Sequence, residues 1–422
     1  MNSDLLIIGG GSAGLFGALM AASLHPGLNI IVAERNATCA NKLSLTGLGQ
    51  CNLTQYATKE QMMDHYGASG QFLAHAFELL DPLKTMAMFK QLGITLMVRE
   101  DQKVFPASLR ASDIANILVA TCLQKGVQFL YECRITTIEK NDRIFIAYDQ
   151  KGNKHTSNAV LVATGGMTYP QTGSTGDGYL LAKQLGHSLV EPHPALSSVV
   201  IDDSHLRSLA GLSLDTVAIS DKKGNVSIGA LVITHFGLSG PAILNHSRYL
   251  TSGDTISLCW TGVKNNQIPF WRTMAQKIKQ MCEANGSSYL ATIVHKLGVP
   301  KNLVVYLLQQ AQIKEKQKAA EVGKKTIEAL ASLLTAQQFR LSFAGRAKTA
   351  MVSAGGIPLE EVDAQTMEST KTKGLYFAGE VLDIDGDTGG YNLQAAWSTA
   401  TLAACSATGY DCSSGDILSI LG

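Results

Sequence analysis

The sequence predicts an α/β protein in which one sheet-based domain is split by an inserted β-barrel-like plus helical domain. Three observations predict it. An apolar run, Leu5 to Ile8, enters the glycine-rich turn Gly9-Gly10-Gly11-Ser12-Ala13-Gly14, and a second apolar run, Ile30 to Ala33, ends on the acid Glu34. Near the other end, Gly374 to Glu380 and Gly389-Gly390-Tyr391-Asn392 form a second glycine-rich passage where a strand should hand over to a helix. Between the two, from about Pro192, the texture changes to short β-rich runs and then to a helical stretch.

Taken in order, the opening strand, turn, helix (about 13–24) and second strand make one βαβ unit. Residues 5–24 carry no charge, but they lack a basic leader and have glycines at turn spacing, so they read as a buried strand and helix and not as a membrane span. Helical periodicity recurs at 79–92 and 111–125, and short strands are expected at 128–131 and 143–148. The run Ala159 to Ala163, ending in Thr164-Gly165-Gly166, returns the chain to the sheet. The expected domains are 1–190 with 347–422, and an insert 191–346 that is β-rich over 191–262 and basic and helical over 268–338.

A length of 422 residues allows two to three domains, and 45% hydrophobic with 16% charged residues is the balance of a compact protein. None of the eight cysteines is spaced C-x-x-C, so neither a zinc site nor a redox dithiol is expected, and scattered free thiols without a targeting signal suggest a cytoplasmic protein. The net charge of +1 conceals an asymmetry. Between Lys264 and Lys348 there are 14 Lys or Arg against 4 Asp or Glu, a local +10 that leaves −9 for the remainder. Its densest part is Lys314, Lys316 and Lys318 with Lys324 and Lys325. Such a run is either a solvated face or a docking surface for a polyanion such as RNA.

In Gly9-x-Gly11-x-x-Gly14 the first glycine permits the turn, the second lets backbone approach a diphosphate, and the third lets helix and strand close up. Glu34, 20 residues beyond Gly14, is placed to accept from adenosine ribose hydroxyls and would repel a 2′-phosphate, which leaves FAD or NAD. The second glycine-rich segment favours FAD, because it supplies a site for the other half of a long dinucleotide. Glu380 is expected at the ribityl chain, and the helix opened by Gly389 to Asn392 is expected to aim its positive end at the flavin pyrimidine ring.

These segments resemble the two-dinucleotide-binding-domain flavoproteins, and within them the BaiN/RdsA family of NAD(P)/FAD-dependent oxidoreductases, also called HI0933-like flavoproteins. The likeness rests on Lys42 with Gly47 to Thr54, Val104-Phe105-Pro106, Arg110 to Asp113, Ala163 to Gly166, Thr172 to Tyr179, Thr234 to Pro241 and Gly374 to Trp397. It departs at Asn41 and Gln50, where the family usually carries arginine, so two cations are missing from a loop expected near the cofactor. The resemblance implies a Rossmann-like FAD-binding domain and a flavin that is reduced by transiently bound NAD(P)H and reduces an electron-poor C=C. Family members are linked to dihydrouridine in large-subunit ribosomal RNA and to bile acid metabolism.

The expected cofactor-binding residues are Gly9, Gly11, Ser12, Ala13, Gly14, Glu34, Arg35, Lys42, Gly49, Thr164, Gly165, Gly379, Glu380, Gly390, Tyr391, Asn392 and Leu393. No metal or membrane partner is expected. Candidate proton donors are Cys51 and His235, each weighed against a structural role. Arg110 is either a phosphate ligand or the partner of Asp113, and Tyr169 either stacks on a ring or packs. The basic insert favours rRNA as substrate. The alternatives are a small-molecule ene-reductase or oxidase, and an RNA-binding protein with a structural flavin.

Overall fold

The computed structural model describes residues 1–261, 271–344, 348–411 and 417–421. The chain divides into two compact units, Met1–Pro194 with Ala347–Gly422, and Ala195–Arg346. Lys264, Arg346 and the expected start of the helical stretch at Ile268 lie outside the described residues.

The first unit is built on a seven-stranded sheet. Its parallel part runs in the order Gln128–Leu130, Ile30–Ala33, Asn2–Ile8, Lys154–Val162, Leu375–Phe377. Along its edge away from Asn2–Ile8, the long strand Lys154–Val162 serves two neighbours in turn. Its first half pairs antiparallel with Ile144–Asp149, which in turn pairs with Ile135–Asn141, and its second half takes Leu375–Phe377 in parallel. This fork explains why the sequence reads Ala159 to Ala163 as continuously apolar and the residues before it as mixed, since only the second half is buried throughout. The uncharged helix Ser12–Leu24 packs on the C-terminal helix Tyr391–Thr408, and Phe16, Phe89 and Trp397 meet with ring centroids 5.2–5.9 Å apart. The expected helix at 79–92 is broken into Ala74–Leu79 and Pro82–Gln91. Asp81 caps the second piece by accepting from Lys84 N–H at 2.8 Å, with Pro82 in the first turn, where its missing N–H costs nothing.

The second unit is a closed barrel of six antiparallel strands with helices Trp271–Ala284, Leu290–His295, Lys301–Gln310 and Lys324–Ala336. One part departs from the expectation. The closing strand, Gln337–Ala344, comes after the helices and pairs with both Thr255–Cys259 and Val199–Ile201. Its alternation is hidden against the preceding helical run, yet Phe339 and Leu341 are buried while Gln338 and Arg340 are exposed. A buried polar chain ties this strand to a helix: Trp260 Nε1 donates to Gln337 Oε1 at 2.7 Å, Gln337 Nε2 to Tyr306 Oη at 2.9 Å, and Tyr306 to Asp203 Oδ2 at 2.8 Å.

Six described cysteines are free. Cys405 is disulfide-bonded, contrary to the expectation of scattered free thiols. Among the described residues no helix is long and apolar enough to cross a membrane.

Candidate cofactor site

The first strand turns at Gly9 and feeds the helix Ser12–Leu24. A side-chain carbon on Gly14 would overlap the Gly9 carbonyl oxygen, so turn and helix close up only with glycine there. Gly11 is different: an added carbon would meet nothing within 4 Å. The protein's own packing does not demand glycine at 11, and what its absent side chain leaves is space for a ligand to approach the backbone. The helix starting at that point has no side-chain cap, so the N–H groups of its first turn are left for an anion. Ser12 and Ala13 open this helix. This cradle fits the diphosphate of a dinucleotide.

Glu34 is 7% exposed and is bonded to the turn through both carboxylate oxygens. Its Oε2 accepts from Gly10 N–H at 2.8 Å, and its Oε1 accepts from Asn36 N–H and Asn36 Nδ2, each at 2.8 Å. The acid thus pins the end of the second strand to the glycine loop, and its remaining lone pairs are what a ribose can use. Arg35 is committed elsewhere. Its Nη1 donates to Asp177 Oδ2 at 3.0 Å, and Arg134 grips the same carboxylate through Nε at 2.9 Å and Nη2 at 2.8 Å. Burial alone would raise the Asp177 pKa, but hydrogen bonds from Arg134 and Thr175 and the charges of the two arginines hold it below the usual carboxylate range.

The second glycine segment meets the first directly. A carbon on Gly379 would lie 2.9 Å from Ala13 Cβ, so the end of the Leu375–Phe377 strand rests on the first turn of the N-terminal helix. Beside it, Lys42 Nζ donates to Glu380 Oε2 at 2.6 Å and to Thr168 Oγ1 at 2.9 Å. Glu380 Oε1 accepts from Ser353 N–H at 2.9 Å and from Thr168 at 3.2 Å. Thr164 and Gly165 begin the loop that carries Thr168, and Met167 N–H donates to Ser353 Oγ at 2.9 Å. Gly390, at φ 95°, lies so close to Thr54 that a side-chain carbon would come 2.7 Å from its backbone. The helix it caps, Tyr391–Thr408, also begins without a side-chain cap. Asn392 clamps the preceding loop, accepting from Gly386 N–H at 2.8 Å and donating to Gly386 O at 2.9 Å, and Leu393 is half-buried.

The proton-donor candidates fare differently. Cys51 is wholly buried, and burial pushes its thiol up to about 12, so it is a neutral core thiol with no surface to offer a substrate. His235 is exposed in the second unit, between the strands Val226–Ile233 and Gly237–Ser239. Gly49 lies in a loop whose neighbour Leu48 is 97% exposed. The cation missing at position 50 has a substitute: Gln50 Oε1 accepts from Arg99 Nη2 at 2.7 Å, and that guanidinium lies 3.9 Å over the Phe105 ring. Arg110 is exposed and paired with Asp113, and Tyr169 is half-buried in a left-handed turn.

Several residues escape a reading of the sequence. His65 stacks on Tyr391 with centroids 4.1 Å apart, and its Nδ1 lies 2.9 Å from Asp387 Oδ2. Tyr66 Oη donates to the Tyr391 carbonyl at 2.7 Å. Asn52 Oδ1 and Gln55 Oε1 are buried acceptors with no partner among the described residues. Asn52 lies within the Gly47 to Thr54 segment that carries the family resemblance, whereas His65 and Tyr66 have no local signal, their partners being over 300 residues away in the chain. Asn36, beside Glu34, is within reach of the turn chemistry of asparagine.

A Rossmann-type sheet with an uncapped glycine turn, split by an antiparallel barrel, is the architecture of a flavin-dependent oxidoreductase, and that is the class of this protein. The chain belongs to the family described as HI0933-like protein Rossmann domain, whose model matches residues 3–406. It is 29% identical over 410 residues to a ribosomal RNA dihydrouridine synthase of Haemophilus influenzae, covering 96% of this chain and 98% of that one. It is 27% identical over 405 residues to a 3-dehydro-bile acid delta(4,6)-reductase of Clostridium scindens, covering 94% and 97%. In fold it is similar to a 3-ketosteroid-Δ4-(5α)-dehydrogenase of Rhodococcus jostii, at a TM-score of 0.52 and 14% identity over 96% of this chain and 97% of that one.

Proposed function

We propose that this protein is an FAD-dependent reductase that saturates a uridine of large-subunit ribosomal RNA, with NAD(P)H as transient hydride donor. In this reading the first unit is the FAD-binding domain. Gly9, Gly11, Ser12, Ala13 and Gly14 cradle the diphosphate, and Glu34 takes the adenosine ribose. Lys42, Thr164, Gly165, Gly379 and Glu380 line the middle of the cofactor, and Gly390 to Leu393 present a helix N-terminus to its ring. Asn52 and Gln55, with their unmet acceptors, suit ring N–H donors. Bound FAD supplies the hydride carrier between NAD(P)H and an electron-poor C=C.

The chain itself must supply a proton to the carbon that does not receive hydride. His65 suits this task better than Cys51. Asp387 Oδ2 lies 2.9 Å from its Nδ1, and an imidazolium paired with that carboxylate would give its Nε2 proton to the carbon and regain one from solvent.

The observation that carries RNA over a small molecule is charge. The identities to the RNA-modifying and bile-acid-reducing relatives are nearly equal, so likeness alone does not choose. The region Lys264 to Lys348 has a local charge of +10, and Lys314, Lys316, Lys324 and Lys325 are exposed in the second unit. A steroid gives no use for that charge; RNA phosphates do. The alternatives, a small-molecule ene-reductase and an RNA-binding protein with structural flavin, are separated by one comparison. Mass spectrometry of ribosomal RNA from cells with and without this protein should show one dihydrouridine lost with it. Unchanged rRNA with intact NAD(P)H oxidation by the purified protein would favour a small-molecule substrate, and failure of both NADPH and NADH to bleach the flavin anaerobically would favour a structural flavin.

A further inference from the structure

We propose that Cys133, Asp149 and His155, in the first unit, form a binding site for a divalent cation of the zinc type, with a fourth position open to water. The three residues are spread over 23 positions with no metal-binding spacing, so the sequence gives no hint of them. The sheet brings them together. Asp149 ends the strand Ile144–Asp149, His155 lies one hairpin later in Lys154–Val162, and Cys133 follows the strand Gln128–Leu130. All three are 6% exposed.

The donor atoms form a triangle. Cys133 Sγ is 3.9 Å from Asp149 Oδ2 and 3.9 Å from His155 Nε2, and His155 Nε2 is 3.6 Å from Asp149 Oδ2. The nitrogen-to-oxygen separation is too long for a hydrogen bond. A tetrahedral cation with bonds of about 2.0–2.3 Å has donor–donor edges of roughly 3.3–3.8 Å, close to what is seen. His155 Nδ1 is buried without a partner among the described residues. That nitrogen is on the far side of the ring from the triangle and calls for a water of its own, while Nε2 faces the thiol and the carboxylate. Thiolate, imidazole and carboxylate together suit zinc among common cations. Binding would release the thiol proton to solvent and leave two anionic ligands on a dication, so the buried site is electrically neutral. Without a cation, burial and the Asp149 charge keep the thiol protonated, pushed up to about 11.

A second hairpin in the molecule serves as an internal control. Asp149-Gln-Lys-Gly-Asn153 and Asp221-Lys-Lys-Gly-Asn225 share a pattern in which the aspartate accepts from two turn N–H groups and from the asparagine side chain. Each aspartate also faces a buried histidine, His246 Nε2 standing 4.0 Å from Asp221 Oδ2. The turn accounts for the aspartate in both places. Among the described residues only the first has a sulfur as third donor; at the second, Ser227 Oγ lies 3.0 Å from His246 Nδ1, on the other side of that ring. The first site also has a structural purpose, because Cys133 N–H donates to the Glu34 carbonyl at 2.9 Å, and a bound ion would brace the strand end that carries Glu34.

The test uses the purified flavin-loaded protein. Elemental analysis should find about one zinc per chain, and the thermal midpoint should fall on chelation and recover with zinc. Cobalt added to the chelated protein should give visible d–d bands to the red of the flavin absorption. Cys133→Ser and Asp149→Asn should lose the metal and the bands, whereas Asp221→Asn should keep both. The proposal is overturned if the unmutated protein holds no metal as purified and gives no such bands with cobalt, a result independent of how the variants fold. It is overturned equally if metal content is the same in Cys133→Ser, which would place the ion elsewhere.

Discussion

The two units use charge in opposite ways. In the sheet unit the charges around the glycine loops are enclosed and spoken for: Glu34 by Gly10 and Asn36, Glu380 by Lys42, Asp177 by two arginines, Glu361 by Lys371. The uncapped helix starts at Ser12 and Tyr391 leave backbone N–H groups there for a ligand. In the barrel-and-helix unit, Lys314, Lys316, Lys324 and Lys325 stand in solvent, and Lys324 has only a loose 3.9 Å approach to Glu328. Substitutions in the first unit should therefore act through shape and be indifferent to salt, and those in the second should act through the field and fade as salt rises.

The largest effect should come from the two glycines of the first turn, which fail for different reasons. Gly14→Ala drives a carbon into the Gly9 carbonyl, and backbone cannot yield cheaply, so about 3 kcal/mol or more of stability should go and little flavin-loaded protein should be recovered. Gly11→Ala meets open space in the protein and should fold with a near-normal thermal midpoint. Its damage should appear in FAD affinity, on the order of 10- to 100-fold by titration of the apoprotein. Equal damage from both would mean that the space at Gly11 is not where the cofactor lies. Next is His65→Gln, expected to lower turnover by roughly 10²–10⁴ with flavin content unchanged. Full activity in that variant would remove His65 as proton donor.

That difference also governs what is readable from sequence. Gly9, Gly14 and Glu34 are legible because a tight turn and an acid 20 residues on are local patterns, and the lysine-rich stretch is legible because composition is visible without a fold. The Lys42–Glu380 pair is readable only as two separate residues, since 338 positions separate them. Arg35 is placed at the cofactor by its position after Glu34, but Asp177, supplied by a distant helix, takes its charge. Cys51 looks reactive in a glycine-rich loop, and only burial, which sequence does not display, shows otherwise. The closing barrel strand escapes notice because period-two alternation over eight residues is weak against the helix that precedes it.

For the exposed lysines the expected effect is a change of slope. Changing Lys314, Lys316, Lys324 and Lys325 to Gln should flatten the dependence of log affinity for ribosomal RNA on log salt by up to about 3, at roughly 0.7–0.9 for each phosphate that is no longer neutralised. Flavin reduction by NAD(P)H should not change. An unaltered slope would return these lysines to the role of a solvated face and dissolve the contrast between the units.

The smallest effect separates the units by acid. Glu361 is held down at about 2; burial opposes this, but the bonds and charge of Lys371 and the donors of Ser188 outweigh it. His187, 2.9 Å from the same carboxylate, is lowered by burial, so the pair works as a neutral imidazole beside an ionised acid. A carboxylate with a depressed pKa contributes stability that is complete above its ordinary value and lost as pH falls through that value toward 2. The buried histidine adds a loss of the same sign just below its own ordinary value, since the unfolded chain takes up a proton that the folded one resists. The first unit should thus weaken progressively from about pH 6.5 downward, by roughly 1–3 kcal/mol for the Glu361 part. Glu361→Gln should be less stable at neutral pH and flatter across the acid range in urea melts followed by flavin release. A variant with the same acid slope as the unmodified protein would place the titrating group elsewhere, and Asp221, held low in the second unit by the donors of its own turn, would be the next to change.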